Sequence, residues 1–351
     1  MGLAFVSIEN VRCLERVELE LDPRRNFISG PNGSGKTSLL ESLFLLGRGR
    51  SFRTRNTERV IRHGQEQLVV FGRTDAPERV LGIQATRASP TVGKIGGASV
   101  SSLAELSEVF PVQIIDPSIH RLVEEGAPRR RRWMDWAVFH VEQGFLSSWM
   151  TYHRALKQRN AALRYQPQQA FAWNPELVRL GEAVAEARQR SLEQLQPYWT
   201  ETVHTLTGQD VSLGYSSGWA RGDTFAEALA NSRARDRERG ITHVGPHRAD
   251  VQLRLDRVLV KEVVSRGQQK LIAAAMILAQ LRMMASHLST APALLLDDPA
   301  AELDTARLEA FVGEVERLEC QLVFTSLDPE SRLFNRPNRA FHVEQGRVRS
   351  V

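Results

Sequence analysis

The sequence predicts an α/β fold interrupted by an α-helical insertion, and three observations carry that prediction. Residues 30–37 read GPNGSGKT, a G-x-x-x-x-G-K-[ST] loop with no deviation, set between a short apolar strand and an apolar helical run. Residues 293–304 read ALLLDDPAAELD, a second apolar strand that runs into adjacent carboxylates. Between them, from about residue 117, strand alternation gives way to long helical periodicity.

The elements follow in order. Residues 5–11 and 17–21 have strand character with a tight connection, and residues 26–29 form the short buried strand that ends in the glycine-rich loop. Residues 36–46 (KTSLLESLFLL) are apolar at helical spacing, which completes the strand, loop and helix setting that a phosphate loop requires. Strand character continues at 67–72 and 80–85, and the glycine- and serine-rich stretch 88–102 reads as turn or loop. Two long helical patterns cover 139–163 and 175–206, the second with Leu177, Leu180, Val184, Ala187, Leu195, Tyr198 and Val203 on one broad face. They define a helical lid or arm at 115–239, inserted between head segments 1–114 and 240–351. Strands are then expected at 250–255 and 258–260, a helix from about 266 to 285, and final strands at 293–296, 321–324 and 339–343.

Bulk properties narrow the class. A chain of 351 residues with 42% hydrophobic content has enough apolar mass for one large domain or two ordinary ones. No apolar run reaches the ~18 residues of a membrane span, and the start MGLAFVSIENVR lacks the layout of a secretion signal, so a cytoplasmic protein without membrane contact is expected. Cys13 and Cys320 are too few and too far apart for a disulfide framework or a thiolate zinc site, and both are expected to be buried. The excess of 46 Lys+Arg over 41 Asp+Glu permits a polyanionic partner.

The loop residues Gly30, Pro31, Asn32, Gly33, Ser34, Gly35, Lys36, Thr37 and Ser38 are the expected nucleotide site. Backbone N–H groups of such a loop cradle phosphates, Lys36 sets its ammonium on the outer ones, and the Thr37 hydroxyl ligates Mg²⁺. A chance match in a chain of this length has a probability on the order of one per cent. Asp297 is the second expected Mg²⁺ ligand, and Asp298 is the carboxylate placed to orient and polarise an attacking water. One methylene shorter than Glu, Asp298 would hold that water less well, so slow hydrolysis is expected. Residues 264–268 read VSRGQ at a helix start, which by physics alone suits an anion site or an ordinary N-cap.

The trio GPNGSGKT, VSRGQ and LLLDDPAAELD, in that order, resembles the Walker A, signature and Walker B motifs of ABC-type ATPases in the branch of SMC and Rad50 heads. The resemblance implies a phosphate-loop NTPase in which Ser265, Gly267 and Gln268 meet the γ-phosphate of ATP held by a second subunit, with Asp304 across the same interface. Two chains would then share two nucleotides. It also makes Gln113 a candidate for the residue that senses Mg²⁺ and water, the alternative being an ordinary polar residue at a strand end, and it implies that Arg12 reaches the nucleotide from the first turn. Lys36 and Ser265 stand 265 − 36 = 229 positions apart, which leaves no room for a long coiled coil, and a C-x-x-C hook is missing. Where transporter motors carry a switch histidine, Ser326 stands here, again pointing to weak hydrolysis.

Residues 117–135, 153–164 and 245–250, with the amino-terminal run as far as FRT at 52–54, resemble the bacterial RecF family over nearly the whole length. Ser118 departs from the acidic residue of that pattern. Membership would imply an ATP-dependent homodimer on duplex, gapped or junction DNA that assists RecA loading with mediators of the RecO and RecR type, and SOS induction. A transporter motor subunit and a non-hydrolysing chromosome-organising head are the rival readings.

Two arginine clusters are candidate phosphate contacts: Arg48, Arg50, Arg53 and Arg55 after the first helix, and Arg129, Arg130, Arg131 and Arg132 in the insertion. A third run at 233–239 (RARDRER) alternates with acids and reads as a self-compensating solvated face. His243, His247 and Asp250 are not expected to bind metal, because Gly245-Pro246 breaks helical spacing between the histidines. Trp133, Trp136, Trp149, Trp173 and Trp199 are expected to pack.

Overall fold

In the computed structural model, which describes residues 2–288, 292–301, 303–331, 333–334 and 337–351, the chain opens with an antiparallel hairpin. Its strands β1 (Leu3–Val11) and β2 (Leu14–Glu20) alternate buried with more exposed side chains, as a sheet with one wet face requires. β3 (Arg25–Ser29) instead buries four consecutive residues, the mark of a strand covered on both faces. α1 (Lys36–Arg48) follows the phosphate loop and ends where Gly49 turns left-handed at φ 64°. β4 (Gln67–Thr74), β5 (Val80–Thr86), β6 (Val92–Ile95) and β7 (Ala98–Ser99) extend the first sheet, in the order β2-β1-β4-β5-β6-β7. The stretch 88–102 is therefore not only loop. Gly96 and Gly97, at φ 58° and 86°, make a two-residue turn that pairs Ile95 with Ala98, the left-handed geometry that tight hairpins demand. α2 (Leu106–Val109) and β8 (Val112–Ile115) close this segment.

The chain then enters a second compact unit, His120–His287. Its elements are α3 (Arg121–Glu124), α4 (Ala127–Val141), α5 (Phe145–Tyr165), α6 (Asn174–Thr207), β9 (Ser212–Ser216), α7 (Phe225–Asn231), α8 (Arg233–Arg239), β10 (Asp250–Leu255), β11 (Val258–Leu259), α9 (Val260–Val263) and α10 (Arg266–His287). The helical pattern at 139–163 resolves into two helices, because Gly144 at φ 77° breaks the run between α4 and α5. The broad face of α6 is buried as expected except at Tyr198, which lies half-buried and bonds Ser286, while the adjacent Trp199 is fully buried. α10 is apolar nearly all round and packs on α3, α4 and α6. The strands β9, β10 and β11 and the helix α10 belong to this unit, so the chain leaves it at residue 288 and not at 240 as the sequence suggested.

The first unit resumes with β12 (Ala293–Leu296), α11 (Thr305–Glu316), β13 (Leu322–Ser326), β14 (Arg339–Glu344) and β15 (Arg347–Ser350). They complete a sheet ordered β15-β14-β3-β13-β12-β8, parallel throughout except for the β15 edge. Pairing of Ser29 with Ser326, Phe324 with Leu296 and Leu296 with Ile115 brings the carboxyl ends of β3, β13, β12 and β8 to one edge, where parallel sheets bind ligands. Among the described residues no helix is long and apolar enough to cross a membrane. Cys13 sits exposed in the first hairpin turn, against the expectation of burial, and Cys320 is half-buried.

Candidate nucleotide-binding site

At that edge lies a cleft of about 510 Å³, lined by residues 32–38, by Arg12, Arg53 and Pro117, and by Asp297 and Asp298. Strand β3 delivers the loop. Gly30 takes φ 148°, and a Cβ there would stand 2.2 Å from the Val343 carbonyl oxygen, so only glycine fits. Gly33, at φ 74°, has open space where a side chain would be, which leaves its backbone bare to a ligand. The Ser34 hydroxyl is buried in the loop with no hydrogen-bond partner, an atom that phosphate oxygens would satisfy. Lys36 Nζ donates to the carbonyls of Gly30 and Pro31, and burial lowers its pKa against the pull of Asp298 and Asp297.

The Thr37 hydroxyl lies 2.9 and 3.1 Å from the two Asp297 oxygens. Burial raises the Asp297 pKa, hydrogen bonds from Thr37 and Thr325 oppose that rise, and the charges of Asp116 and Asp298 add to it. Three carboxylates at neighbouring strand ends repel one another, so a cation at this point would relieve them. A hydroxyl and a carboxylate oxygen form the hard, sparse protein ligand set that Mg²⁺ accepts beside phosphates. Thr325, fully buried at the end of β13, donates to Asp297 and accepts from the Asp298 backbone N–H, which fixes the adjacent carboxylates together.

Arg12, at φ 53° in the hairpin turn, donates from Nε and Nη2 to Glu41 at 2.9 and 2.8 Å. Glu41 is fully buried on α1, accepts also from Ser51, and lies 3.6 Å from Arg53. One buried carboxylate thus holds two arginines at the mouth of the cleft. Arg53, a candidate phosphate contact by sequence, lines the nucleotide cleft. Sequence reasoning missed Glu41, Ser51, Thr325 and Asp116. Glu41 was findable, because a lone acid inside KTSLLESLFLL needs a partner once buried; Thr325 gave no signal.

Gln113 does not line the cleft. It is buried within β8 opposite Leu294, three residues before Asp297, and Asp116 follows the end of that strand. Ser326 is buried at the end of β13 and accepts from the Asp328 N–H. In the second unit, Ser265 is exposed before α10, where its hydroxyl accepts from the Gln268 N–H at 3.3 Å and its own N–H donates to the Gln268 side chain at 3.0 Å. This is a reciprocal capping box. A Cβ on Gly267 would find only Ser265 Oγ, 4.0 Å away. Asp304 caps α11 by accepting from the Arg307 N–H.

The arginine run of α4 is largely committed within its unit. Arg130 is buried against Asp250 at 2.9 Å and donates to the Glu125 carbonyl, so its guanidinium is committed within the protein. Arg131 donates to the Ala249 carbonyl at 2.6 Å and Arg129 to Glu125 at 2.9 Å; Arg132 is also engaged. Arg48 is half-buried over the Phe44 ring, Arg50 is exposed but engaged, and Arg55 is exposed. His247 bonds Tyr152 and the Thr242 carbonyl with its two ring nitrogens, and His243 bonds Asp236.

The family described as RecF/RecN/SMC N terminal domain matches residues 3–348. A DNA replication and repair protein RecF of Azotobacter vinelandii is 40% identical, over 99% of this chain and 98% of that protein. The protein of the same name in Pseudomonas syringae pv. tomato is 38% identical with the same coverage. Among solved structures, the recombination mediator RecF with ATP, of the RecFOR pathway, matches with a TM-score of 0.89 at 23% identity, covering 100% of this chain and 97% of that one. An Smc head bound to the C-winged helix domain of ScpA matches with a TM-score of 0.61 at 14% identity, covering 100% and 97%. These structural likenesses establish the fold.

Proposed function

The chain belongs to the RecF branch of the RecF/RecN/SMC N-terminal domain family, and from that premise we propose that it is an ATP-driven switch of DNA replication and recombinational repair. The observation that carries the reading is the Thr37 hydroxyl on Asp297 beside a phosphate loop with an unmatched buried Ser34 hydroxyl. In this proposal residues 30–38 cradle the phosphates, with Lys36 moving from its loop carbonyls to the β- and γ-phosphates. Arg12 and Arg53, held by Glu41, add positive charge at the mouth. Thr37 and Asp297 hold Mg²⁺, which neutralises phosphate charge, and Asp298 orients the attacking water.

A second copy supplies Ser265, Gly267 and Gln268 at its α10 tip to the γ-phosphate, with Asp304 at the same seam. Binding of ATP then favours the closed homodimer by its higher affinity for that state, which needs no fast chemistry. Slow hydrolysis reopens it, in keeping with the short Asp298 and with Ser326 where a histidine would assist. The closed dimer grips duplex DNA near gaps and cooperates with mediators of the RecO and RecR type in RecA loading and SOS induction, in the cytoplasm. Of the sequence-derived arginines, exposed Arg55 remains available for phosphate contact.

Sedimentation with and without ATP and Mg²⁺ tests the proposal. The unaltered chain should dimerise only with ATP, Ser265→Arg should bind ATP yet stay monomeric, and Asp298→Asn should stay dimeric long after ATP is added. A Ser265→Arg protein that dimerises like the unaltered chain removes the shared site.

A further inference from the structure

Arg154, Lys157 and Arg164 lie three and seven residues apart on α5, spacings that keep side chains on one side of a helix, and all three are exposed. The 21 residues of α5 include no Asp or Glu. The opposite side carries Arg159, fully buried, which holds the equally buried Asp236 of α8 at 2.8 Å. That pair fixes how α8 lies: with Asp236 turned inward, Arg235, Arg237 and Arg239 are left exposed, the first and last four residues apart on one side. Arg164 also donates to the carbonyl of Gly240, the residue that caps α8, so the two basic surfaces adjoin.

The reading of 233–239 as self-compensating is overturned by the same pair. Asp236 answers Arg159, and Arg233 stacks on Phe171 at 4.1 Å, so the exposed arginines of α8 face only Glu238 on their own helix. Residues 166–173, which follow α5, contain no acid. Among the described residues Arg154, Lys157, Arg235, Arg237 and Arg239 have neither ion-pair nor hydrogen-bond partners. The densest arginine run of the chain, at 129–132, is thus occupied internally, whereas this looser set is free.

We propose that the α5/α8 face binds the phosphate backbone of duplex DNA without reading its sequence, an inference that rests on the DNA-binding reading above. From Arg154 to Arg164 the helix spans about 15 Å. A duplex of that length presents about nine phosphate charges. Guanidinium groups reach phosphate oxygens through paired hydrogen bonds, and a row of them needs no particular base. Tyr165, 81% exposed beside Arg164, adds a ring that can lie on a sugar.

The test is the fourfold variant Arg154→Gln, Lys157→Gln, Arg235→Gln and Arg239→Gln in the full chain, with Arg164 kept because it also bonds Gly240. Binding to a fluorescent duplex and to the same duplex with a gap is followed with ATP present, from about 50 to 200 mM salt. Loss of four phosphate contacts should lower the slope of log affinity against log salt by about 3.6, and weaken binding at least about tenfold at the middle of the range. ATP affinity and the unfolding midpoint should not move. A variant that matches the unaltered chain in slope and affinity overturns this inference alone. If the unaltered chain binds neither DNA, the DNA-binding reading fails and takes the inference with it.

Discussion

The two units of this chain use buried polar groups in opposite ways. In the phosphate-loop unit Glu41 is fixed on Arg12, but the groups that would face a ligand are held weakly: Lys36 rests on carbonyls of its own loop, Thr37 on Asp297, and Ser34 Oγ on nothing. In the helical unit, Arg130, Arg159 and Arg188 are each clamped on an aspartate, and both ring nitrogens of His247 are occupied. The difference separates two kinds of buried charge. A fixed ionic partner deep in a unit marks architecture, and a weak partner at a cleft marks chemistry. Substitutions in the helical unit should therefore cost stability, and those in the cleft should cost ligand.

The largest effect is expected at Arg159. Its guanidinium binds Asp236 and Thr242, and Asp236 has no exposure of its own. Arg159→Ala leaves a buried carboxylate without its cation, a loss of about 3–5 kcal/mol. Urea unfolding measures it, and a loss below about 1 kcal/mol, the level of an exposed pair, would erase the distinction between the units.

His247 comes next. Its Nδ1 accepts from the Tyr152 hydroxyl and its Nε2–H donates to the Thr242 carbonyl, and burial pushes its pKa down from 6.5 to about 4. The folded protein then holds fewer protons than the unfolded chain between those values. Stability is complete above pH 6.5 and falls as pH drops toward 4, by up to about 3 kcal/mol. Unfolding at pH 7 and near pH 4.5 should show the fall, and His247→Gln should flatten it. An unchanged slope in that variant would mean the histidine is not the titrating group.

These two cases also show what the sequence disclosed. The phosphate loop, the carboxylates that follow β12 and most strands were legible because neighbouring residues write them: glycine spacing, apolar runs and alternation are local. The fate of charges was not. Arg130 finds Asp250 across 120 positions, and Asp236 finds Arg159 across 77, so the run expected to meet phosphate is engaged internally and the run expected to compensate itself leaves its arginines exposed. The helix α10 went with the helical unit for a similar reason: it is apolar on nearly every side, and sequence does not say which neighbours will cover it. Gln113 lies inside β8 and not at its end, because pairing register, unseen in sequence, sets which residue ends a strand.

Within the cleft, Lys36→Ala removes the one ammonium the loop holds among its carbonyls. ATP affinity should drop at least about a hundredfold, which corresponds to roughly 3 kcal/mol, with the unfolding midpoint nearly unchanged. Calorimetric titration and urea unfolding read the two sides. A Lys36→Ala protein that unfolds markedly earlier while still binding ATP would place the lysine with the architectural charges.

The smallest effect is expected at Ser265, which straddles the comparison. Its hydroxyl caps α10 and is paired with Gln268, as architectural groups are, yet it is exposed and stands before a glycine with open space beside it, as ligand-facing groups do. Ser265→Ala deletes one cap bond and should lower stability by about 1 kcal/mol, and Ser265→Gly by only a few tenths. If the cap were its whole role, Ser265→Asp should keep the stability, because Asp is as good an N-cap as Ser. At the γ-phosphate of a partner's ATP the same carboxylate would repel the nucleotide. Ser265→Asp is thus expected to fold like the unaltered chain, to bind ATP in the monomer, and to fail in ATP-dependent dimerisation by sedimentation. Dimerisation equal to that of the unaltered chain would leave Ser265 as a cap and nothing more.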